Sequence, residues 1–196
     1  MWLTKDQLEE IGFKAIGSGV LIDSGSYFFA PENISIGDNS RIDAGAILSS
    51  SSGAIDIGKH VHIAAGVKIY GQGEVRIEDY VGISVNTVVL SATDDFIEGY
   101  MTNPTVPDVY RKVRIARVEI GRHAIIGANS TILPGTKIEL GASIGACTLV
   151  KGAIEPFAIV AGNPARPIGR RNAARLLELE KLHMGFESQQ NRETIQ

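Results

Sequence analysis

Two adjacent carboxylates, Asp94 and Asp95, open the longest irregular segment of the chain, "DDFIEGYMTNPTVPDVYRKV". An aspartate with an ordinary pKa of about 3.9 is a poor base toward a hydroxyl group. It is well suited to hold an amine or ammonium group through a charge-assisted hydrogen bond. The pair therefore suggests a site that orients an amine, and a solvated turn is the alternative interpretation.

The composition excludes several classes of protein. The 196 residues carry a net charge of -3, which argues against a nucleic-acid binder. The single cysteine, Cys147, permits no internal disulfide and favours a cytoplasmic location. No apolar run approaches the roughly 18 residues of a membrane span, and the N-terminus does not resemble a signal peptide.

Aliphatic residues recur every six positions over most of the chain, and a small or β-branched residue stands four positions after each of them. This period fits neither a helix nor a plain strand. It fits a short strand plus a corner, and three such units close one triangular coil. The aliphatic positions are Ile36, Ile42, Leu48, Ile57, Ile63, Ile69, Ile77, Ile83, Val89, Ile120, Ile126, Ile132, Ile138, Ile144 and Val150.

The repeat predicts an all-β fold, a parallel β-helix of about five coils over residues 16–171. A short N-terminal helix is expected within residues 1–15, and a helix with a polar tail within residues 172–196. Two turns hold extra residues, "SSSSG" and "GQGE", and an excursion loop, residues 91–117, leaves the prism and returns. Loops this long are usually functional or disordered, although a decorative or trimer-packing insertion is the alternative.

The hexapeptide pattern resembles the left-handed β-helix acyltransferases, and that resemblance implies the left-handed winding. The corner "ISVN", from Ile83 to Asn86, resembles the galactoside and maltose acetyltransferase group. That group has a catalytic histidine eleven residues after the corner isoleucine, and Asp94 occupies this place. The resemblance implies that Asn86 contacts the substrate.

The exchange of histidine for aspartate indicates a different nucleophile. A hydroxyl with a pKa near that of water, about 15.7, needs a base such as histidine during attack. Amino groups titrate near about 7.7–8.0, so a useful fraction is already neutral at cellular pH. Such a nucleophile needs orientation and a late proton acceptor, and we expect N-acylation rather than O-acylation.

The excursion loop resembles a sub-branch of nucleotide-linked amino-sugar N-acyltransferases in surface-polysaccharide (O-antigen) pathways. These enzymes act on 4-amino-4,6-dideoxy sugars. The resemblance implies that Ser84, Asn86, Asp94 and Asp95 face the amine. It also implies that Tyr100, Asn103 and Tyr110 line the sugar pocket.

The same resemblance implies acetyl-coenzyme A, or another short acyl-coenzyme A, as co-substrate. In "IGANS", Ala128 would offer its backbone N–H to the thioester oxygen. Gly145, Ala146 and Val150 would line the pantetheine arm. Lys151, Arg166, Arg170 and Arg171 could meet the coenzyme A phosphates, with ordinary surface charge as the alternative. A homotrimer with sites between subunits is expected.

Two other functions remain open at this point. One is a sugar O-acetyltransferase that uses an outward histidine as its base, and the other is a non-catalytic trimeric scaffold. His60, His62 and His123 are predicted to face outward, and they lack the His-x4-His spacing of a zinc-dependent relative. No metal is therefore expected.

Overall fold

Three parallel sheets form the sides of a triangular prism, which confirms the predicted β-helix. The computed structural model describes the backbone of residues 1–193 and the side chains of residues 1–186. The first sheet contains β1 (Ala15–Ile16), β4 (Ile34–Ile36), β7 (Ile55–Ile57), β10 (Val75–Ile77), β15 (Val118–Ile120), β18 (Lys137–Ile138) and β21 (Ala153–Ile154).

The other two sheets have the same parallel stacking. The second contains β2 (Leu21–Ile22), β5 (Arg41–Ile42), β8 (His62–Ile63), β11 (Gly82–Ile83), β16 (Ile125–Ile126), β19 (Ser143–Ile144), β22 (Ala158–Ala161) and the antiparallel β23 (Arg166–Arg170). The third contains β3 (Tyr27–Phe29), β6 (Ile47–Ser49), β9 (Lys68–Tyr70), β12 (Val88–Leu90), β17 (Thr131–Ile132) and β20 (Leu149–Val150).

The expected five coils are too few, because the first sheet holds seven stacked strands. The additional first coil contains Ile16, Ile22 and Phe28, where an aromatic residue takes the third aliphatic place. The additional last level begins at Ile154, only four residues after Val150. The step from Phe28 to Ile36 is eight residues and that from Val150 to Ile154 is four, so the regular repeat alone did not reveal these two levels.

The prism interior is built as the repeat requires. All fifteen predicted aliphatic positions are buried, each at 4% exposure or less. Most of the fourth-place residues are buried beside them, and the buried ones with hydroxyl groups find backbone partners. Ser130, for example, donates from Oγ to the carbonyl of Gly145 at 3.0 Å and accepts from the N–H of Thr148 at 3.3 Å. Such pairing offsets the cost of burying a polar group.

Two helices flank the prism within the described residues. Helix α1 (Lys5–Ile11) begins at Thr4, whose side chain and that of Gln7 form a reciprocal capping box. Helix α2 (Ala173–Glu193) runs to the end of the described chain, and residues 194–196 of the expected tail lie outside it. Within the described residues, neither helix is long and apolar enough to cross a membrane.

One corner of the prism carries a column of stacked rings. His60, Tyr80 and His123 all have positive φ angles, and neighbouring ring centroids are 5.0 and 4.9 Å apart. Helix α2 packs over this column. Oε1 of Glu180, a residue only 8% exposed, lies 3.1 Å from Nε2 of His123 and 3.1 Å from Nη1 of Arg122. The helix therefore docks through specific polar and ring contacts.

The excursion leaves the prism after β12 and returns at β15. Its stem is an antiparallel pair, β13 (Ala92–Asp94) and β14 (Val113–Ile115). Buried Ser91 closes the root, since its Oγ donates to the carbonyl of Tyr70 and accepts from the N–H of Gly73, both at 2.8 Å. A short 3-10 turn, Asp108–Tyr110, lies within the excursion, and another, Pro31–Asn33, precedes β4.

Removal of one inward side chain should destabilise the whole prism. Ile132 is fully buried, so Ile132→Ala is expected to lower the free energy of unfolding by about 2–5 kcal/mol through lost burial and a residual cavity. Denaturant unfolding measures this change. The control is Ile168→Ala, whose side chain is 67% exposed. Equal losses for the two variants would contradict the inward placement of Ile132.

Candidate active site

Asp94 ends the first strand of the excursion's stem, opposite Val113 on β14. Its Oδ2 accepts a hydrogen bond from the backbone N–H of Asn103 at 3.1 Å. The side chain is partly exposed. An ionised carboxylate has two acceptor oxygens, so an Asp94 held in this way can present Oδ1 to a ligand.

Two cavities meet at Asp94. One, of about 500 Å³, lies within the excursion and has Phe96, Ile97 and Lys112 among its walls. The other, of about 650 Å³, lies between the excursion and the third sheet. Its prism-side walls are Ser49, Ser51, Tyr70, Gln72 and Leu90. The second cavity combines hydroxyl, amide and aromatic groups, as a site for a polar ring compound would.

Asp95 is engaged by the backbone of the excursion. Its Oδ1 accepts from the N–H groups of Ile97 and Glu98, and its Oδ2 from the N–H of Tyr100, each at 3.0 Å. These N–H groups, led by those of Glu98 and Ile97, lower the pKa of Asp95 to about 2. These contacts hold both oxygens of Asp95 to the loop, and the expectation that Asp95 faces the amine stays a prediction.

The three residues expected in a sugar pocket lie elsewhere on the excursion. Tyr100 is 46% exposed, with Nζ of Lys112 5.5 Å from its ring centroid. Asn103 has a φ of 72°, and its Oδ1 accepts from the backbone and hydroxyl of Thr105. Tyr110 is exposed in the 3-10 turn. Their side chains do not line either cavity beside Asp94.

A second group of predicted residues stacks along the corner between the second and third sheets. The N–H of Asn129 donates to the carbonyl of Val85 at 3.0 Å, and that of Cys147 donates to the carbonyl of Ala128 at 2.8 Å. Ser84 and Asn86 flank Val85, and Ala146 precedes Cys147. This corner therefore brings together the predicted Ser84, Asn86, Ala128, Gly145 and Ala146.

The backbone of this corner is exposed and closely spaced. Within the described residues, no hydrogen bond from the N–H of Ala128 is found, so that donor can serve a ligand. A Cβ at Gly127 would collide with the backbone nitrogen of Ala146, so the corner has room only for glycine there. The φ of Asn86 is 58°, a left-handed conformation that asparagine adopts more readily than most residues.

Ser84 and Asp94 do not meet within one chain. Ser84 follows β11 at the end of the second sheet, whereas Asp94 follows β12 at the end of the third. The chain from Asn86 to Ala92, six residue steps, forms the whole third side between them, which is roughly 20 Å at strand spacing. The two halves of the predicted site thus lie at different corners of the same prism.

The predicted cofactor residues other than Gly145 and Ala146 divide into three groups. Lys151, Arg166 and Arg170 share a cavity of about 360 Å³ at the C-terminal end of the prism. Arg171 instead donates to the carbonyls of His123 and Gly141 at the column of rings. Val150 is fully buried in the prism. Its expected role in lining the pantetheine arm is wrong for the side chain, because that position belongs to the inward repeat.

The histidines have structural neighbours. His62 lies 2.8 Å from Asp43 through Nε2, and His60 and His123 stack on Tyr80. None of these histidines lines a cavity beside Asp94. Among the described residues, no group of three His, Cys, Asp or Glu side chains is arranged to hold a metal ion.

The sequence interpretation missed the prism-side walls of the larger cavity. Ser49 and Ser51 belong to "SSSSG", and Gln72 belongs to "GQGE", the two turns with extra residues. Both turns lie at the corner from which the excursion leaves, one and two coils before it. Because both insertions fall at the same corner of the prism, their positions in the sequence could have indicated a cavity there.

Comparisons with known proteins agree with this fold. Residues 15–50 and 117–150 match the family model described as the hexapeptide repeat of succinyl-transferase. The chain is 41% identical over 181 residues to a dTDP-4-amino-4,6-dideoxy-D-glucose acyltransferase of Escherichia coli, covering 92% of this chain and 94% of the relative. It is 30% identical over 146 residues to a putative lipopolysaccharide biosynthesis O-acetyl transferase, WbbJ, of Escherichia coli K12, covering 62% of this chain and 74% of the relative.

The structure is also similar to AntD, an N-acyltransferase from Bacillus cereus. The complex of AntD with dTDP and 3-hydroxybutyryl-CoA superimposes with a TM-score of 0.91 at 36% identity, covering 95% of this chain and 98% of AntD. Crystal structures of AntD also include D94A and S84A variants, the latter with dTDP-4-amino-4,6-dideoxyglucose and coenzyme A.

The backbone contacts of Asp95 predict an unusually acidic carboxyl group. Because its pKa is lowered from 3.8 to about 2, the stabilisation that it gives the loop is present above 3.8 and lost as the pH falls through 2. Carboxyl-carbon NMR should record a midpoint of about 2, with the signal assigned by its absence in Asp95→Asn. A midpoint near 3.8 would contradict the observed contacts.

Proposed function

The chain belongs to the hexapeptide-repeat acyltransferase family, and on that premise we propose that it transfers an acyl group from acyl-coenzyme A to the amine of a nucleotide-linked amino sugar. The observation that carries this proposal is the carboxylate of Asp94 at the wall of two cavities. The relatives with a dTDP-linked 4-amino-4,6-dideoxyglucose in their names indicate the class of acceptor.

The chemistry follows from the state of the nucleophile. The neutral amine attacks the thioester carbonyl, a C–N bond forms, and the C–S bond then breaks. Asp94 orients the amine and accepts its proton as the C–N bond forms, and the departing thiolate finally takes a proton. The backbone N–H of Ala128 stabilises the oxyanion of the tetrahedral intermediate. This N–H has no partner among the described residues.

The separation of the two predicted halves favours a site shared between subunits. Asp94 of one chain would complete the corner of a neighbouring chain that holds Ser84, Asn86 and Ala128. A closed homotrimer repeats that pairing three times. The substituted positions in the AntD structures, Ser84 and Asp94, have the same residue types and numbers as these residues.

The donor would lie along the same corner. Gly145 and Ala146 continue the stack above Ala128, so an extended pantetheine arm could follow it toward the cationic end of the prism. Lys151, Arg166 and Arg170 would meet the phosphates there. Arg171 and the side chain of Val150 have no part in this proposal, since both are engaged in the scaffold.

The proposal includes a place in surface-polysaccharide (O-antigen) synthesis in the cytoplasm. The similarity to WbbJ, named as a lipopolysaccharide biosynthesis enzyme, supports the first part. The exposed free Cys147 suits a reducing compartment. WbbJ is named as an O-acetyl transferase, so transfer to a hydroxyl is the competing function.

Acceptor preference tests the proposal directly. With acetyl-coenzyme A, dTDP-4-amino-4,6-dideoxyglucose should release free thiol, whereas its 4-hydroxyl analogue should not. Asp94→Asn should lose most of this turnover, about 100-fold or more, without a change in unfolding temperature. Thiol release with only the hydroxyl compound, or an unchanged rate for Asp94→Asn, would refute the proposed chemistry.

Mixed oligomers test the shared site. Ser84→Ala and Asp94→Asn chains should each be inactive alone. Coexpressed as mixed trimers, they should regain about one third of the wild-type sites, because one interface in each mixed trimer unites two unaltered residues. The matched control mixes wild-type chains with the Ser84→Ala/Asp94→Asn double variant. No recovery in purified mixed trimers would place both residues in a single-chain site.

A further inference from the structure

We infer that Asp95 is a positioning residue, which folds the start of the excursion so that Asp94 keeps its carboxylate at the cavity wall. The inference rests on the proposed function and extends it to a residue whose side chain does not touch the substrate. It is carried by the contacts of two adjacent carboxylates with the loop that follows them.

Asp95 serves as the hydrogen-bond acceptor for a tight turn. Both of its oxygens receive backbone N–H groups, from Ile97, Glu98 and Tyr100, at 3.0 Å. These groups are exposed to solvent and lie outside any helix or strand. A side-chain carboxylate here replaces the partners that regular secondary structure would provide.

The turn held by Asp95 leads directly to the residue that holds Asp94. Only two residues separate Tyr100 from Asn103, whose N–H donates to Oδ2 of Asp94. Asn103 is itself fixed, since its Oδ1 accepts from the N–H of Thr105 at 3.0 Å and from its hydroxyl at 2.6 Å. Release of the first turn would therefore displace the donor that orients Asp94.

The returning strand supports the same turn from its other side. Nζ of Lys112 lies 2.7 Å from Oε2 of Glu98 and 5.5 Å from the centroid of the Tyr100 ring. Lys112 stands next to Val113, the partner of Asp94 in the stem. The turn is thus fixed to both strands of the stem, and its geometry is transmitted to Asp94.

Direct contact of Asp95 with the amine is the competing explanation. It would require the carboxylate to give up backbone bonds on binding and would depend on the negative charge. A positioning role depends instead on the acceptor geometry. Asp95→Asn separates the two roles, because the amide oxygen can still accept from Ile97 and Glu98 while the charge is removed.

A double-mutant cycle with acetyl-coenzyme A and dTDP-4-amino-4,6-dideoxyglucose tests the inference. Asp95→Ala should lower kcat about 10- to 100-fold, the effect of a small misplacement of a reacting group, with KM for acetyl-coenzyme A unchanged. In the Asp94→Asn background it should lower kcat no further. Equal losses in both backgrounds would overturn the inference.

The conservative variant supplies the second criterion. Asp95→Asn should have a kcat between those of wild type and Asp95→Ala, because it keeps two of the three acceptor contacts. A kcat as low as that of Asp95→Ala would indicate direct charge contact and would overturn the positioning role. The matched control is Asp108→Ala, which removes an exposed acid of the same loop that pairs with Arg111 and should leave kcat unchanged.

Amide hydrogen exchange separates this inference from the proposed function. In Asp95→Ala, residues 97–103 should exchange faster while the prism and the unfolding temperature stay unchanged. If the wild-type protein were inactive with this acceptor while Asp95→Ala still showed the faster exchange, the proposed acceptor would be refuted. The role of Asp95 in holding the loop would not be. Unchanged exchange, or a fall in unfolding temperature that accounts for the lost activity, would overturn the inference.

Discussion

The width of the prism interior governs the rest of the molecule. Each side has room for one aliphatic residue and one small residue, and stacking at strand spacing repeats that demand in every coil. Ile126 and Ser130 illustrate the pair, and both are fully buried. Because the interior accepts so little variation, chemistry is confined to corners and excursions. The candidate site residues outside the excursion accordingly lie at a corner or at the C-terminal end of the prism.

The two parts of the candidate site use the backbone in different ways. At the corner, the N–H of Ala128 has no hydrogen-bond partner among the described residues, so the scaffold itself can offer the proposed oxyanion donor. In the excursion, beyond the short ladder of its stem, Asp94 and Asp95 accept N–H groups and give the loop its shape. A carboxylate in this setting can orient an amine without the strong base that a hydroxyl requires. The exchange of imidazole for carboxylate thus agrees with both the loop structure and the proposed chemistry.

The period of the sequence was sufficient to predict the fold, because a six-residue spacing has few physical solutions. It failed where the residue type changed, at Phe28, and where the spacing changed, at Ile154. The same repeat had already placed Val150 inward, so its assignment to a surface groove conflicted with a stronger signal. The engagement of Asp95 and Arg171 could not be predicted, since each depends on backbone groups brought together only by the folded chain. A single sequence also does not reveal which corners meet between neighbouring chains.

The strand pairing of the first sheet continues without interruption on both sides of the excursion. Val75 pairs with Val118 in the same register that joins it to Ile55, so the scaffold closes as though nothing had been inserted. Evolution can therefore lengthen, shorten or exchange this segment without refolding the framework. A relative can therefore differ from this chain throughout the excursion while it keeps the same prism.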